Sequence, residues 1–117
     1  MVQTKLKEII YISTAIEGFK VEYLLDESRR NNKHNGITGL LLFNGFMFMQ
    51  QIEGDPDRIN SLFASILKDG RHKDIEIHTD QPLEQRKFSN WYLKYNYCTV
   101  CKSLDKQLQL MKSLTNV

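Results

Sequence analysis

The sequence predicts a single α+β domain in which helices alternate with short strands. A chain of 117 residues has the length of one domain, and folding removes roughly two-thirds of its unfolded surface from water. Runs of β-branched and aromatic residues, as at 9–13, alternate with segments of helical spacing, as at 59–67. With 41% hydrophobic and 26% charged residues and only 2 prolines, the composition is globular, which excludes disordered and fibrous proteins.

The first strand is predicted at residues 9–13, where β-branched and aromatic side chains form one run. A helix begins near Lys20 and ends by Gly36, because glycine supplies the left-handed geometry of a helix C-terminus. The apolar positions at helical spacing in this segment are Val21, Leu24 and Leu25.

A hairpin is predicted next, from an apolar strand at 37–43 to a returning strand at 46–52. Asn44-Gly45 lies between them and predicts a type I′ turn, which needs positive φ at both central residues. Asp55 as N-cap and Pro56 at the first helical position then begin a second helix. Its core-facing stripe is Ile59, Leu62, Phe63, Ile66 and Leu67.

The last third of the chain predicts two more strands and a helix. Residues 75–79 alternate between apolar and polar, a loop runs from 82 to 89, and an aromatic strand covers 91–97. Ser103 caps a final amphipathic helix that carries Leu104, Leu108, Met111 and Leu114. The resulting order, β-α-β-β-α-β with an added fifth strand and a C-terminal helix, is the ferredoxin-like arrangement. Its two inner helices cover one face of a mixed sheet, which leaves the other face for the last helix or a partner.

Charge and cysteine content exclude several classes of protein. The net charge of +2 is too small to indicate a nucleic-acid partner. No apolar run approaches the roughly 18 residues of a membrane span, and residues 1–7 are too polar for a signal peptide, so we expect a cytoplasmic protein with no membrane partner. Cys98 and Cys101 form a C-x-x-C motif that would suit a redox pair or half a zinc site. The histidines, His34, His72 and His78, show no paired ligand spacing, so we predict no metal site.

Gln50 is a polar residue on a strand face that should be apolar. Period-two alternation places it with Phe46, Phe48 and Ile52. A buried amide needs hydrogen-bond partners, and Tyr11 on the first strand is a geometrically simple one. The alternative is that Gln50 is a structural residue at a sheet edge.

Asn31 and Asn32 come at the end of the first predicted helix. Their amides can donate to and accept from a planar heterocycle that carries alternating carbonyl and N–H groups. The alternative is ordinary helix termination, for which asparagine is a favoured residue.

Several motifs resemble, in order and spacing, those of the BLUF family of blue-light sensors using flavin. The resemblance extends from about residue 9 to residue 95 and includes NGITGLL followed by an N-G turn and QxxEG. The matching positions are Tyr11 in IIYIS, Asn31 and Asn32 in RRNNKHNGITGLLLFNG, Gln50 in FMFMQQIEGD, the segment LKDGRH at 67–72, and Trp91 in FSNWYLKY.

The resemblance implies a flavin held between the first two helices, with FAD expected and FMN or riboflavin as alternatives. Asn32 would bond the ring near its C4 carbonyl and N3, Asn31 near C2, and Gln50 would lie between Tyr11 and the N5/O4 edge. The other positions that match family residues around the cofactor are Leu24, Ser28, Ile66, Asp69, Arg71 and His72.

The resemblance also implies photochemical switching without turnover of a substrate. Tyr11 would donate an electron and then a proton through Gln50, which ends rotated or tautomerised and shifts the flavin absorption to the red. Trp91 on the last strand is the family's candidate for signal output, and its alternative role is that of a core or interface aromatic. Two positions depart from the family pattern, since Leu93 stands where many members have methionine and Ser65 where some have a long basic residue.

On this interpretation residues 1–97 form the flavin-binding photosensor domain and residues 98–117 a C-terminal helix or cap. The signal would pass to a separate effector protein, to a fused output domain, or through a change of homo-oligomeric state. The alternative function is a light-insensitive flavin-binding or protein-interaction module of ferredoxin-like fold.

Overall fold

A computed structural model describes residues 5–16 and 21–95 of the chain. They form two helices and five strands in the predicted order: β1 (Leu6–Ala15), α1 (Val21–His34), β2 (Thr38–Phe43), β3 (Met47–Gly54), α2 (Pro56–Lys68), β4 (His72–Leu83) and β5 (Trp91–Tyr95). The α+β class is therefore confirmed. The predicted C-terminal helix and the C-x-x-C motif, Cys98 to Cys101, lie outside the described residues.

The five strands form one mixed sheet in the order β4-β1-β3-β2-β5. All neighbouring pairs are antiparallel except β2 and β5, which are parallel. The fifth strand thus extends the ferredoxin-like sheet at the β2 edge. Gln50 belongs to β3, the central strand, so its interpretation as a sheet-edge residue is wrong.

Both helices pack on the same face of the sheet. Tyr11, Gln50 and Leu41 are directly opposite one another across β1, β3 and β2, so their side chains share that face. Two core clusters lie on it. Phe63 and Ile59 of α2 pack with Ile9, Tyr11, Ile37 and Ile52, and Leu25 of α1 packs with Leu41, Phe43, Phe48 and Trp91.

The opposite face carries a separate apolar cluster of Ile12, Leu40, Leu42 and Met49. Phe88, in the segment between β4 and β5, packs against this cluster. Buried polar residues interrupt the face, because Glu8, Gln51 and Glu53 alternate with the apolar positions of β1 and β3. We call it the distal face, since it lies on the side of the sheet away from the two helices.

The hairpin between β2 and β3 turns one residue later than predicted. The backbone N–H of Asn44 donates to the Met47 carbonyl at 3.2 Å, which makes Gly45 and Phe46 the central residues. Gly45 has a φ of 102°, whereas Phe46 is not at positive φ, so the turn has the glycine-first pattern of type II′ rather than type I′. Asn44 contributes through its side chain, whose Oδ1 accepts from the Met47 N–H at 2.8 Å. Phe46 is consequently 37% exposed instead of lying in the core strand.

Helix α2 begins as predicted, with Asp55 accepting hydrogen bonds from the N–H groups of Asp57 and Arg58 and with Pro56 in the first turn. Its predicted apolar stripe extends one residue too far, since Leu67 is 53% exposed. The apolar face predicted for β4 is also only partly buried. Ile75 packs on the core, whereas Ile77 is 52% exposed on this edge strand, whose pairing with β1 is irregular after Ile10 and Ile12.

Candidate functional site

A cavity of about 580 Å³ opens between α1, α2 and the sheet face that the helices cover. This volume is typical of pockets for small molecules and cofactors. All of the predicted flavin-binding residues line it, namely Leu24, Ser28, Asn31, Asn32, Gln50, Ile66, Asp69, Arg71 and His72, and Tyr11 lines it as well. Trp91 lies beside the cavity, behind Gln50, and does not line it.

One wall of the cavity is a face of α2 that carries Arg58 and Ser61, two polar residues that the sequence patterns did not indicate. Arg58, Ser61, Leu62 and Ser65 all line the cavity. They follow the spacing i, i+3, i+4, i+7, which places them on one side of a helix. This spacing was present in the sequence, but the neighbouring apolar stripe that ends at Ile66 has the same period and is the stronger signal.

Gln50 connects Tyr11 and Trp91 through the two ends of its side-chain amide. Its Nε2 donates to the Tyr11 hydroxyl at 2.6 Å, and its Oε1 accepts from the Trp91 indole Nε1–H at 3.2 Å. An indole can only donate, so it requires the carbonyl end of Gln50 and leaves the amide nitrogen for Tyr11. All three residues are buried. The predicted Tyr11–Gln50 pair is thus confirmed, and Trp91 joins it in one buried chain of hydrogen bonds.

Burial raises the pKa of the Tyr11 phenol well above its usual range; the hydrogen bond from Gln50 opposes this shift and the charge of Asp69 adds to it. The neutral phenol is therefore favoured in the folded protein. In the unfolded chain the Tyr11 phenol ionises at about pH 10. The unfolded state then binds fewer protons, so the free energy of unfolding should fall as the pH rises above this value.

An absorbance titration of the phenolate band can test the buried state of Tyr11. The chain has 5 tyrosines, and we expect the buried Tyr11 phenol not to ionise at about pH 10, the ordinary value for tyrosine. Tyr11→Phe should therefore leave the phenolate absorbance of the folded protein at this pH unchanged. A reduced absorbance in Tyr11→Phe would contradict the raised pKa of Tyr11.

The two asparagines end α1 through their backbones and leave their side chains to the cavity. The Asn31 carbonyl accepts from the Asn35 N–H at 3.0 Å, and the Asn32 carbonyl accepts from the Ile37 N–H at 2.8 Å. Gly36, at a φ of 66°, supplies the left-handed residue after the helix. Helix termination therefore accounts for the backbone of Asn31 and Asn32 and not for their amide side chains, of which that of Asn32 is buried.

Asp69 and Arg71 close one end of the cavity with a bidentate ion pair. The guanidinium Nε and Nη2 donate to the two carboxylate oxygens of Asp69 at 2.9 and 2.7 Å, and Nη2 also lies 3.5 Å from Glu27 of α1. The hydrogen bond from Arg71 lowers the pKa of Asp69, and the same bond raises the pKa of Arg71. Both groups thus stay charged, and the pair connects α1 to the segment after α2.

His72 is held by hydrogen bonds at both ring nitrogens. Its Nε2 lies 2.6 Å from the Ile66 carbonyl and its Nδ1 lies 2.7 Å from the Ser13 hydroxyl. A carbonyl only accepts, so Nε2 carries a proton. The ring therefore connects α2, β4 and β1 at the cavity wall. His72 is the first residue of β4.

The cavity suits a flat, apolar ring with one polar edge. Leu24 on α1 and Ile66 on α2 are half-buried apolar residues on its two helical walls. The amides of Asn31, Asn32 and Gln50 can both donate and accept, as the alternating carbonyl and N–H groups of a flavin edge require. The residues present therefore fit an isoalloxazine ring.

In the described parts of the chain, no helix is both long and apolar enough to cross a membrane.

Comparisons with known proteins agree with this arrangement. The family model BLUF, described as sensors of blue-light using FAD, matches residues 6–94. Over 97 residues the chain is 33% identical to the photoactivated adenylate cyclase subunit alpha of Euglena gracilis, a match that covers 79% of this chain and 10% of that protein. The chain thus spans about a tenth of the length of the curated relatives that it matches first.

Solved structures show the same fold. BlrB, a BLUF protein in its dark state, superimposes with a TM-score of 0.81 at 25% identity, and the match covers 98% of each chain. BlrP1 of Klebsiella pneumoniae, solved with FMN and cyclic diGMP, gives a TM-score of 0.71 at 28% identity over 92% of this chain and 30% of that one. The match of the family model to most of the chain shows that the protein belongs to the BLUF family and is a flavin-binding domain for sensing blue light.

Proposed function

We propose that this domain is a light-driven switch in which the Gln50 amide reorients between Tyr11 and Trp91. The observation that carries the proposal is that the two ends of Gln50 have opposite hydrogen-bonding character and each already has a buried partner. When bound, a flavin supplies the chromophore for blue light and an acceptor for one electron. The residues that would hold it are those that line the cavity, Asn31, Asn32 and Gln50 at its polar edge and Leu24 and Ile66 at its faces.

Tyr11 is the electron and proton donor of this switch. Its phenol keeps its proton because it is buried, and it lies 2.6 Å from Gln50. In the arrangement observed, Tyr11 accepts a hydrogen bond from Gln50 and cannot pass its proton to that nitrogen. A half turn of the Gln50 amide exchanges the two ends, so that Oε1 becomes an acceptor for the Tyr11 proton. The electron and the proton would then return to Tyr11, so the reorientation of Gln50 would change the hydrogen bonds at the site without adding a charge.

The same half turn has a cost at Trp91. The amide nitrogen of Gln50 would then face the indole N–H, so two donors would meet and the Trp91 bond of 3.2 Å would be lost. An unpaired buried donor costs about 1–3 kcal/mol, which favours movement of the indole. Trp91 is the first residue of β5, an edge strand joined to β2. Movement at Trp91 therefore reaches the sheet edge, where a partner can detect it.

We further propose that the domain itself turns over no substrate and passes its signal to a separate effector, a fused output domain or a second copy. The photoactivated adenylate cyclases have an enzymatic activity in their name, and this chain corresponds to about a tenth of their length. That proportion supports a division between a light-sensing part and an output part. A flavin module that does not respond to light is the second candidate, and the following experiment separates the two.

The absorption spectrum of the purified protein before and after blue light tests the function. We expect a yellow protein whose flavin band shifts slightly to the red on illumination and returns in the dark. A yellow protein with no shift would leave only the light-insensitive module. A preparation that stays colourless after incubation with FAD, FMN and riboflavin would contradict flavin binding altogether.

A further inference from the structure

A fully buried carboxylate lies on the distal face of the sheet, three residues after Gln50 on the same strand. Glu53 of β3 is 0% exposed. Its side chain accepts hydrogen bonds from the Thr38 hydroxyl at 2.7 Å, from the Lys87 backbone N–H at 3.1 Å and from the Phe88 backbone N–H at 2.9 Å. A buried carboxylate is tolerated where such donors compensate its charge. The donors from residues 87 and 88 belong to the connection between β4 and β5.

Side chains of the same connection contact the sheet as well. Lys87 places its ammonium 3.1 Å from the buried carboxylate of Glu8, which is directly opposite Glu53 on β1. Arg86 donates to the Thr38 hydroxyl at 2.8 Å and to the Glu53 backbone carbonyl at 3.3 Å. The backbone of this connection at residues 87 and 88 is thus bound by the side chain of Glu53, while Glu8 reaches it through a flexible lysine.

The connection leads directly to Trp91. Two residues after Phe88, the Asn90 carbonyl accepts from the Gly39 N–H at 3.0 Å, and the Asn90 side chain accepts from the Trp91 N–H at 2.9 Å. The indole then contacts Gln50 through one hydrogen bond of 3.2 Å, at the long limit for a bond from N–H to oxygen. This long bond is weak, and the indole also packs with Leu25, Leu41, Phe43 and Phe48. The anchored backbone that precedes Trp91 contributes to the position of the indole together with this packing.

We propose that Glu53 is a positioning residue that keeps Trp91 against Gln50 by fixing the connection between β4 and β5 on the central strand. This inference rests on the proposed function, in which Trp91 is the neighbour that senses the orientation of Gln50. The strand β3 carries both Gln50 and Glu53, on opposite faces. The amide that reorients and the carboxylate that positions Trp91 therefore belong to the same strand. Without the hydrogen bonds of Glu53, the Trp91 indole can move away from Gln50. The carbonyl of Gln50 then loses the indole N–H that favours its orientation in the dark.

Trp91 is the single tryptophan of the chain, so tryptophan fluorescence reports on this position alone. In the flavin-loaded protein kept in the dark, we expect Glu53→Gln to shift the emission to the red and to raise the acrylamide quenching constant by about twofold or more, because the amide replaces one acceptor oxygen with a donor. We also expect dark recovery of the red-shifted state to slow by about two- to tenfold, the effect of losing one neutral hydrogen bond.

Glu8→Gln is the matched control, since it changes a buried carboxylate beside Glu53 whose ion pair, within residues 5–16 and 21–95, is with the Lys87 side chain. It should leave the emission and the recovery rate as in the wild type. Thr38→Val removes one donor to Glu53 with little change of shape and should move both readouts in the same direction but less far; it provides the test if Glu53→Gln does not fold.

Wild-type emission, quenching and recovery in folded Glu53→Gln would overturn the inference. Equal changes in Glu8→Gln would overturn it as well, since they would indicate a general loss of stability at the distal face. The emission measurements need no light-driven reaction, so they test the role of Glu53 separately from the proposed function. If Glu53→Gln alters Trp91 emission in a protein that shows no red shift, the positioning role of Glu53 is supported and the proposed function fails.

Discussion

Replacing Tyr11 with phenylalanine is expected to abolish the light-induced red shift while the protein stays yellow. Phenylalanine has no phenolic O–H, so the site loses the group that supplies both the electron and the proton. The ring itself is retained, and with it the edge-to-face contact with Phe63 at a centroid distance of 5.6 Å. The cavity keeps its asparagines and apolar walls, so flavin should remain bound. The cost in stability should be about 1–3 kcal/mol, because the buried amide nitrogen of Gln50 loses its acceptor.

The measurement is the difference spectrum between illuminated and dark protein at equal flavin content. Tyr92→Phe is the matched control, since Tyr92 is an exposed tyrosine on β5 whose hydroxyl lies 2.8 Å from that of Ser89. It should show the full red shift and the wild-type recovery rate. A wild-type difference spectrum in Tyr11→Phe would refute the role of Tyr11 as donor.

The order of the elements could be predicted because each has a local cause in the sequence. Asp55 and Pro56 determine the start of α2, and Gly36 determines the end of α1. The predictions that were wrong concern features that depend on contacts between distant parts of the chain. The turn after β2 depends on which residues of the two strands face each other, and the exposure of Ile77 depends on the position of β4 at the sheet edge. Neither property is contained in a short window of sequence.

The candidate site divides in the same way. The Tyr11–Gln50 pair could be expected because both residues interrupt apolar strand faces, and a buried amide must find a partner. The contact between Trp91 and Gln50 could not be derived from spacing. It requires β5 to lie parallel to β2 with Trp91 opposite Gly39, after a connection whose backbone donates to Glu53 on the far side of the sheet. Long-range pairing of this kind leaves no periodic signal.

Replacing Gln50 with leucine is expected to abolish the red shift as completely as Tyr11→Phe, but with a second effect at Trp91. Leucine cannot exchange a donor for an acceptor, so the site has no group that can reorient. It also leaves the Trp91 indole N–H without its acceptor and the Tyr11 hydroxyl without its donor. Each unpaired buried group costs about 1–3 kcal/mol, partly offset by the apolar surface that leucine buries. Trp91 emission in the dark should therefore change, whereas Tyr11→Phe leaves the Trp91–Gln50 bond intact.

Gln51→Leu provides the control on the next residue of the same strand. Gln51 is equally buried but lies on the distal face, and within the described part of the chain its side-chain nitrogen has no hydrogen-bond partner. Leucine there removes an unsatisfied donor, so the protein should fold at least as stably as the wild type and keep the full red shift. Retention of the shift in Gln50→Leu would exclude the amide switch. Loss of the red shift in both variants would mean that leucine disturbs β3 as a whole. Loss of the red shift in Gln50→Leu alone would assign the switch to the face of β3 that meets the cavity.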